Sequence, residues 1–138
     1  MKKRILVFFL SLAMLVIPIL PVRASDTAAA THMDGAYGFR SVLSKNSIDS
    51  VFGCYGEFTS YPSGLSPNSM GATLYLQVDS LPVKYGEFDY PTTYGSIMKG
   101  TGGGSATSVY MEVNFYYPLG IYTSEIIWEW DEGFRIIR

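Results

Sequence analysis

From Ser108 to Tyr117 the chain reads SVYMEVNFYY, and its apolar and polar side chains alternate. Val109, Met111, Val113, Phe115 and Tyr117 fall on one side; Tyr110, Glu112, Asn114 and Tyr116 fall on the other. A period of two predicts a β-strand with one dry and one wet face. ATLYLQVDS repeats the pattern, with Leu74, Leu76 and Val78 against Tyr75, Gln77 and Asp79. In TSEIIWEW, Ile126, Trp128 and Trp130 oppose Glu125, Ile127 and Glu129. AYGFRSVL and GFRIIR complete the set as first and last strands. Pro62, Pro67, Pro82, Pro91 and Pro118 stand at the ends of such runs, where a missing N–H is tolerated. The one segment with any helical character is FRSVLSKNSIDSVF, and its apolar spacing is irregular. The pattern predicts an all-β domain over residues 35–138, a single antiparallel β-sandwich or small closed barrel built from hairpins.

A short motif recurs inside this pattern. CYGEFTSYP begins at Cys54 and KYGEFDYP at Lys84. Each Tyr-Gly-Glu-Phe is followed by Tyr-Pro, a turn-rich stretch and an alternating strand, which predicts two related hairpins. Alternation puts Phe58 and Phe88 in the core and Glu57 and Glu87 in water. A glycine within a strand points to a bulge or to the close approach of another group.

The N-terminus changes the charge that matters. MKKR, the apolar run Ile5–Leu20, and Val22 and Ala24 before the expected cut form the pattern of a cleaved secretory signal peptide over residues 1–24. Residues 25–34 then read as a flexible lead-in. The whole chain has ten basic and twelve acidic residues. Without Lys2, Lys3, Arg4 and Arg23, six basic residues face the same twelve acidic ones, a net charge of −6. Such a chain has no electrostatic attraction to nucleic acid or to an anionic membrane. The expected compartment is extracellular, with no stable membrane span after cleavage.

The residue inventory excludes much chemistry. Cys54 is the only cysteine, so an internal disulfide is impossible, and a buried free thiol is expected. His32 is the only histidine and lies in the predicted lead-in, a poor support for a catalytic base. There is no Cys/His zinc pattern, no calcium loop at Asp131–Gly133, and no Lys-Ser/Thr ending to make GTGGGS a phosphate loop. No cofactor or metal is expected. Glu57 with Glu87, or Glu112 with Glu125, could flank a sugar as paired carboxylates, although nothing in their spacing selects either pair.

The eleven tyrosines are the feature most in need of a function. Tyrosine joins a flat apolar ring to a polar tip and suits sugar rings and protein partners. The wet faces of the two clearest strands therefore nominate Tyr75, Tyr110, Glu112, Asn114 and Tyr116 as a ligand-binding surface. The leading expectation is a non-catalytic extracellular binding module for a glycan or a surface protein. A secreted bacteriocin-like or membrane-active effector is the second, and a small carboxylate-dependent glycoside hydrolase the third.

Overall fold

The computed structural model describes residues 27–46 and 50–138. The predicted signal segment lies outside them. Among the described residues nine strands run in chain order: β1 (Thr27–Asp34), β2 (Tyr37–Lys45), β3 (Val51–Ser60), β4 (Gly71–Val78), β5 (Lys84–Asp89), β6 (Tyr94–Gly100), β7 (Ser108–Tyr117), β8 (Gly120–Glu129) and β9 (Gly133–Ile136). They form two antiparallel sheets, ordered β1-β2-β3-β6 and β5-β4-β7-β8-β9. The inward side chains of both sheets make one core, so the architecture is a β-sandwich. Among the described residues no helix is long and apolar enough to cross a membrane.

The alternating runs bury the side chains that the pattern assigns to the dry face. Leu74, Leu76 and Val78 from β4, Val109, Met111, Val113 and Phe115 from β7, and Ile126 and Trp128 from β8 are all buried. Phe39 and Leu43 from β2 and Phe52, Cys54 and Phe58 from β3 face them from the four-stranded sheet. Phe39 lies within 5.4 Å, centroid to centroid, of Phe58, Phe115, Tyr117 and Tyr122, so one ring joins both sheets. Ser41 and Ser124 are the two buried polar residues of this interior among the described residues, and their hydroxyls are hydrogen-bonded across it.

Four expectations are corrected. Thr27–Asp34 is not a lead-in: all eight residues pair with β2, from Thr27 opposite Ser44 to Asp34 opposite Tyr37. Its inward residues include Ala28 and Ala30, too small to give a clear apolar period, and the backbone of β2 recruits the segment. His32 is thereby held in a strand, stacked 4.3 Å from the Tyr122 ring. Second, the segment with weak helical character holds no helix where it is described: it supplies most of β2 and the start of β3, joined through Asn46 and Ser50 outside both strands; positions 47–49 lie outside the described residues. Third, Trp130 does not join Ile126 and Trp128 in the core. β8 ends at Glu129, and Trp130 sits exposed in the turn to β9.

The fourth correction concerns the Tyr-Gly-Glu-Phe repeat. Phe58 and Phe88 are buried and Glu87 is exposed, while Glu57 is half-exposed. The two units are not hairpins, however. β3 belongs to one sheet and β4 to the other; β5 and β6 are divided in the same way. Each motif strand leads through its Tyr-Pro loop across the end of the sandwich. Residues Tyr94–Gly100, expected within a loop, form β6, whose single buried side chain is Ile97. The pairs β3–β6 and β5–β4 then place the two motifs in corresponding positions.

The repeated glycines are explained by this crossing. A Cβ on Gly86 would lie 2.4 Å from Cγ2 of Ile97, and one on Gly56 would lie 2.9 Å from Cγ1 of Val113. In each motif the glycine lets a side chain of the opposite sheet reach its strand.

Candidate functional site

The outer face of the five-stranded sheet carries all five nominated residues. Tyr75 on β4 stands opposite Tyr85 on β5 and Glu112 on β7. Tyr110 lies between Gln77 and Ile127, Glu112 faces Glu125 on β8, and Asn114 lies between Thr73 and Thr123. Tyr116 is opposite Gly71 and Ile121.

Two chemistries run across this face. The first is an aromatic ladder. Tyr85 and Tyr75 meet edge-to-face at 5.1 Å, and Tyr75 meets Tyr110 in the same way at 6.0 Å. Tyr85, at the sheet edge, is 67% exposed. The second is a chain of hydrogen bonds. Thr123 Oγ1 donates to Asn114 Oδ1 at 2.6 Å, and Asn114 Nδ2 donates to Glu112 Oε1 at 2.6 Å. The Tyr110 hydroxyl lies 2.6 Å from Glu112 Oε2 and 2.5 Å from Glu125 Oε1. Arg138 Nε donates to the other oxygen of Glu125 at 2.6 Å.

This network answers an electrostatic problem set by the register. Two like charges directly opposite on neighbouring strands repel. Glu112 and Glu125 are such a pair, and the Tyr110 phenol, the Asn114 amide and the Arg138 guanidinium surround their oxygens with donors. Burial, and then the two carboxylates, raise the Tyr110 phenol above its ordinary pKa, so it remains a neutral donor. Arg138 and Tyr110 together hold the Glu125 carboxyl below the ordinary carboxylate range. Glu125 is therefore a fixed ionised acceptor, whereas a general acid needs a raised pKa. Glu57 and Glu87 lie on the outer faces of different sheets and cannot flank one sugar.

Four of the five nominated residues, Tyr75, Tyr110, Glu112 and Asn114, join the ladder or the network. Tyr116 stands apart. Its ring covers Gly71, where a Cβ would lie 2.3 Å from both the Tyr116 hydroxyl and the Phe88 carbonyl oxygen. Its hydroxyl donates to that carbonyl at 3.4 Å, so Tyr116 seals the backbone rather than facing a ligand. The nomination omitted Tyr85, Glu125, Thr123 and Arg138. Alternation within the second motif places Tyr85 on the outer face and could have found it. Arg138 carries no such signal, because its contact depends on the chain folding back after β9.

Shallow depressions flank the ladder. One, of about 250 Å³, is lined by Gln77, Asp79, Ser108, Tyr110, Ile127 and Glu129 among others. Another, of about 330 Å³, lies beside Thr73, Tyr85, Gly86 and Glu87. Both are at or below the small end of ligand pockets, so a ligand here would meet a surface rather than enter a cavity. Among the described residues no group of three or more His, Cys, Asp or Glu is placed to hold a metal ion. Comparison of the chain with protein-family models, with curated proteins and with solved structures finds no match.

Proposed function

We propose that this protein is an exported, non-catalytic binding module that takes a glycan on the outer face of its five-stranded sheet. The observation that carries the reading is the Tyr85–Tyr75–Tyr110 ladder running directly into the Tyr110–Glu112–Asn114 network. The rings offer flat apolar area for the faces of pyranose rings. The carboxylates accept sugar hydroxyls, and the amide and guanidinium groups hold those carboxylates in place. Side chains already fixed by one another lose little conformational freedom on binding, which favours affinity from a shallow face. Export is inferred from the pattern of residues 1–24.

A second reading has one observation of its own. The tip of the β7–β8 hairpin exposes Leu119 and Ile121, an apolar point of the kind a membrane-active effector would insert. A glycan array probed with the labelled protein, run beside dye release from lipid vesicles, separates the two. The binding-module reading expects glycan signals that weaken in Tyr75→Ser, with no dye release. Release without any glycan signal overturns it.

A further inference from the structure

The Tyr-Gly-Glu-Phe repeat distributes its outward side chains to opposite faces of the sandwich, and the face carrying the first copy has a constellation of its own. Tyr55 Oη donates to Glu57 Oε2 at 2.9 Å, and Arg40 Nη1 lies 3.5 Å from Glu57 Oε1. Tyr94 on β6 stands directly opposite Glu57, is 61% exposed, and lies 6.4 Å from the Tyr55 ring. The five-stranded sheet repeats these parts: a strand tyrosine bonded to the glutamate two residues on, a carboxylate held by arginine, and a further exposed tyrosine at the sheet edge. There the parts are Tyr110 with Glu112, Glu125 with Arg138, and Tyr85.

We infer that the outer face of the four-stranded sheet, centred on Tyr55, Glu57, Arg40 and Tyr94, is a second glycan site, and that one molecule bridges two glycan segments. The inference rests on the glycan reading of the first face. The occupant follows from the charge of the second face. Arg40 balances Glu57, so neither an anion nor a cation finds an uncompensated opposite charge, while fixed donors and acceptors stand beside two rings. That combination fits a neutral, hydroxyl-bearing pyranose chain. The geometry then determines stoichiometry. Stacked sheets are about 10 Å apart and their outer faces point away from each other. A short oligosaccharide on one face cannot reach the other, so the sites fill independently, and a long polymer is cross-linked.

Calorimetric titration with cellohexaose and with chitohexaose, both neutral β-linked hexasaccharides, tests this. Wild type is expected to take up two hexasaccharides per chain. Tyr94→Ala should remove the site on the four-stranded sheet and Tyr85→Ala the site on the five-stranded sheet, each leaving one. Both side chains are exposed, so the melting temperature of each variant should match wild type. Wild type should also raise the turbidity of glycol chitin or hydroxyethylcellulose, and either variant should not. One hexasaccharide per chain, lost in Tyr85→Ala and unchanged in Tyr94→Ala, overturns the second site and leaves the first reading standing. No binding of either hexasaccharide to wild type overturns both.

Discussion

Phe58 and Phe88, the last residues of the two Tyr-Gly-Glu-Phe motifs, meet edge-to-face with ring centroids 6.2 Å apart, one from each sheet. The tyrosines of the two following Tyr-Pro steps, Tyr61 and Tyr90, meet in the same manner at 6.0 Å. The repeated sequence thus closes one end of the sandwich on itself. Truncating either phenylalanine removes half of an aromatic contact and opens a cavity between the sheets. Phe58→Ala and Phe88→Ala should each cost about 3–5 kcal/mol in chemical denaturation. Because the rings touch, the double variant should cost less than the sum.

The Ser41–Ser124 pair makes an asymmetric prediction. The Ser124 hydroxyl also stands toward the Tyr122 phenol, whereas the partner of Ser41 is Ser124 across the core. Ser41→Ala leaves Ser124 with Tyr122. Ser124→Ala leaves Ser41 without its partner from the opposite sheet, at about 1–3 kcal/mol for an unsatisfied buried group. Denaturant midpoints should therefore rank Ser124→Ala below Ser41→Ala, and the double variant should recover part of the loss.

Cys54 is fully buried, and desolvation pushes its thiol up to about 12. Reactivity requires an accessible thiolate. The native protein should resist a bulky maleimide at pH 7 and still at pH 9, and should label at once in denaturant. Rapid native labelling would show that β3 opens readily.

Tyr117 at the end of β7 donates to Asp34 Oδ2 at 2.5 Å, joining the β7–β8 hairpin to the end of β1. That bond, then desolvation and the Asp34 charge, push the phenol up to about 12 from an ordinary 10.0. A folded-state pKa above the unfolded one gives stability that is complete below the unfolded value and lost as pH rises through the folded value. Wild type should therefore lose stability across pH 10 to 12 by more than Tyr117→Phe does, as read from thermal melts in that window. Equal alkaline losses in the two proteins would contradict the tie.

The sandwich was legible where inward side chains are large. Leu74–Leu76–Val78 and Val109–Met111–Val113–Phe115 give the period of two without ambiguity. It was illegible in β1 and β6, where Ala28, Ala30 and a single Ile97 carry the inward face. The sheet to which each strand belongs was also hidden. Alternation determines which side chains share a face, whereas pairing depends on contacts far apart in sequence. Hence the two motifs read as hairpins although their loops cross between sheets. The outer face was legible for the same reason as the core, because residues opposite an apolar stripe must share a side. What joins them was not. The link from Tyr110 to Glu125 depends on the β7–β8 register, and Arg138 reaches Glu125 only through the chain beyond β9. Tyr116 was nominated by alternation alone, which is blind to the glycine beneath it.

On the proposed reading the Tyr85–Tyr75–Tyr110 ladder is a binding surface and not merely part of the framework. The most direct measurement pairs a binding titration with a melt for Tyr75→Ser/Tyr85→Ser, using the strongest array hit as the ligand. Removing two outer-face rings that meet edge-to-face should abolish binding at this face, a loss of at least a hundredfold, while the melting temperature moves by only a few degrees. Unchanged binding, or a collapse of stability of the size expected for core aromatics, about 3–5 kcal/mol per ring, would contradict the account.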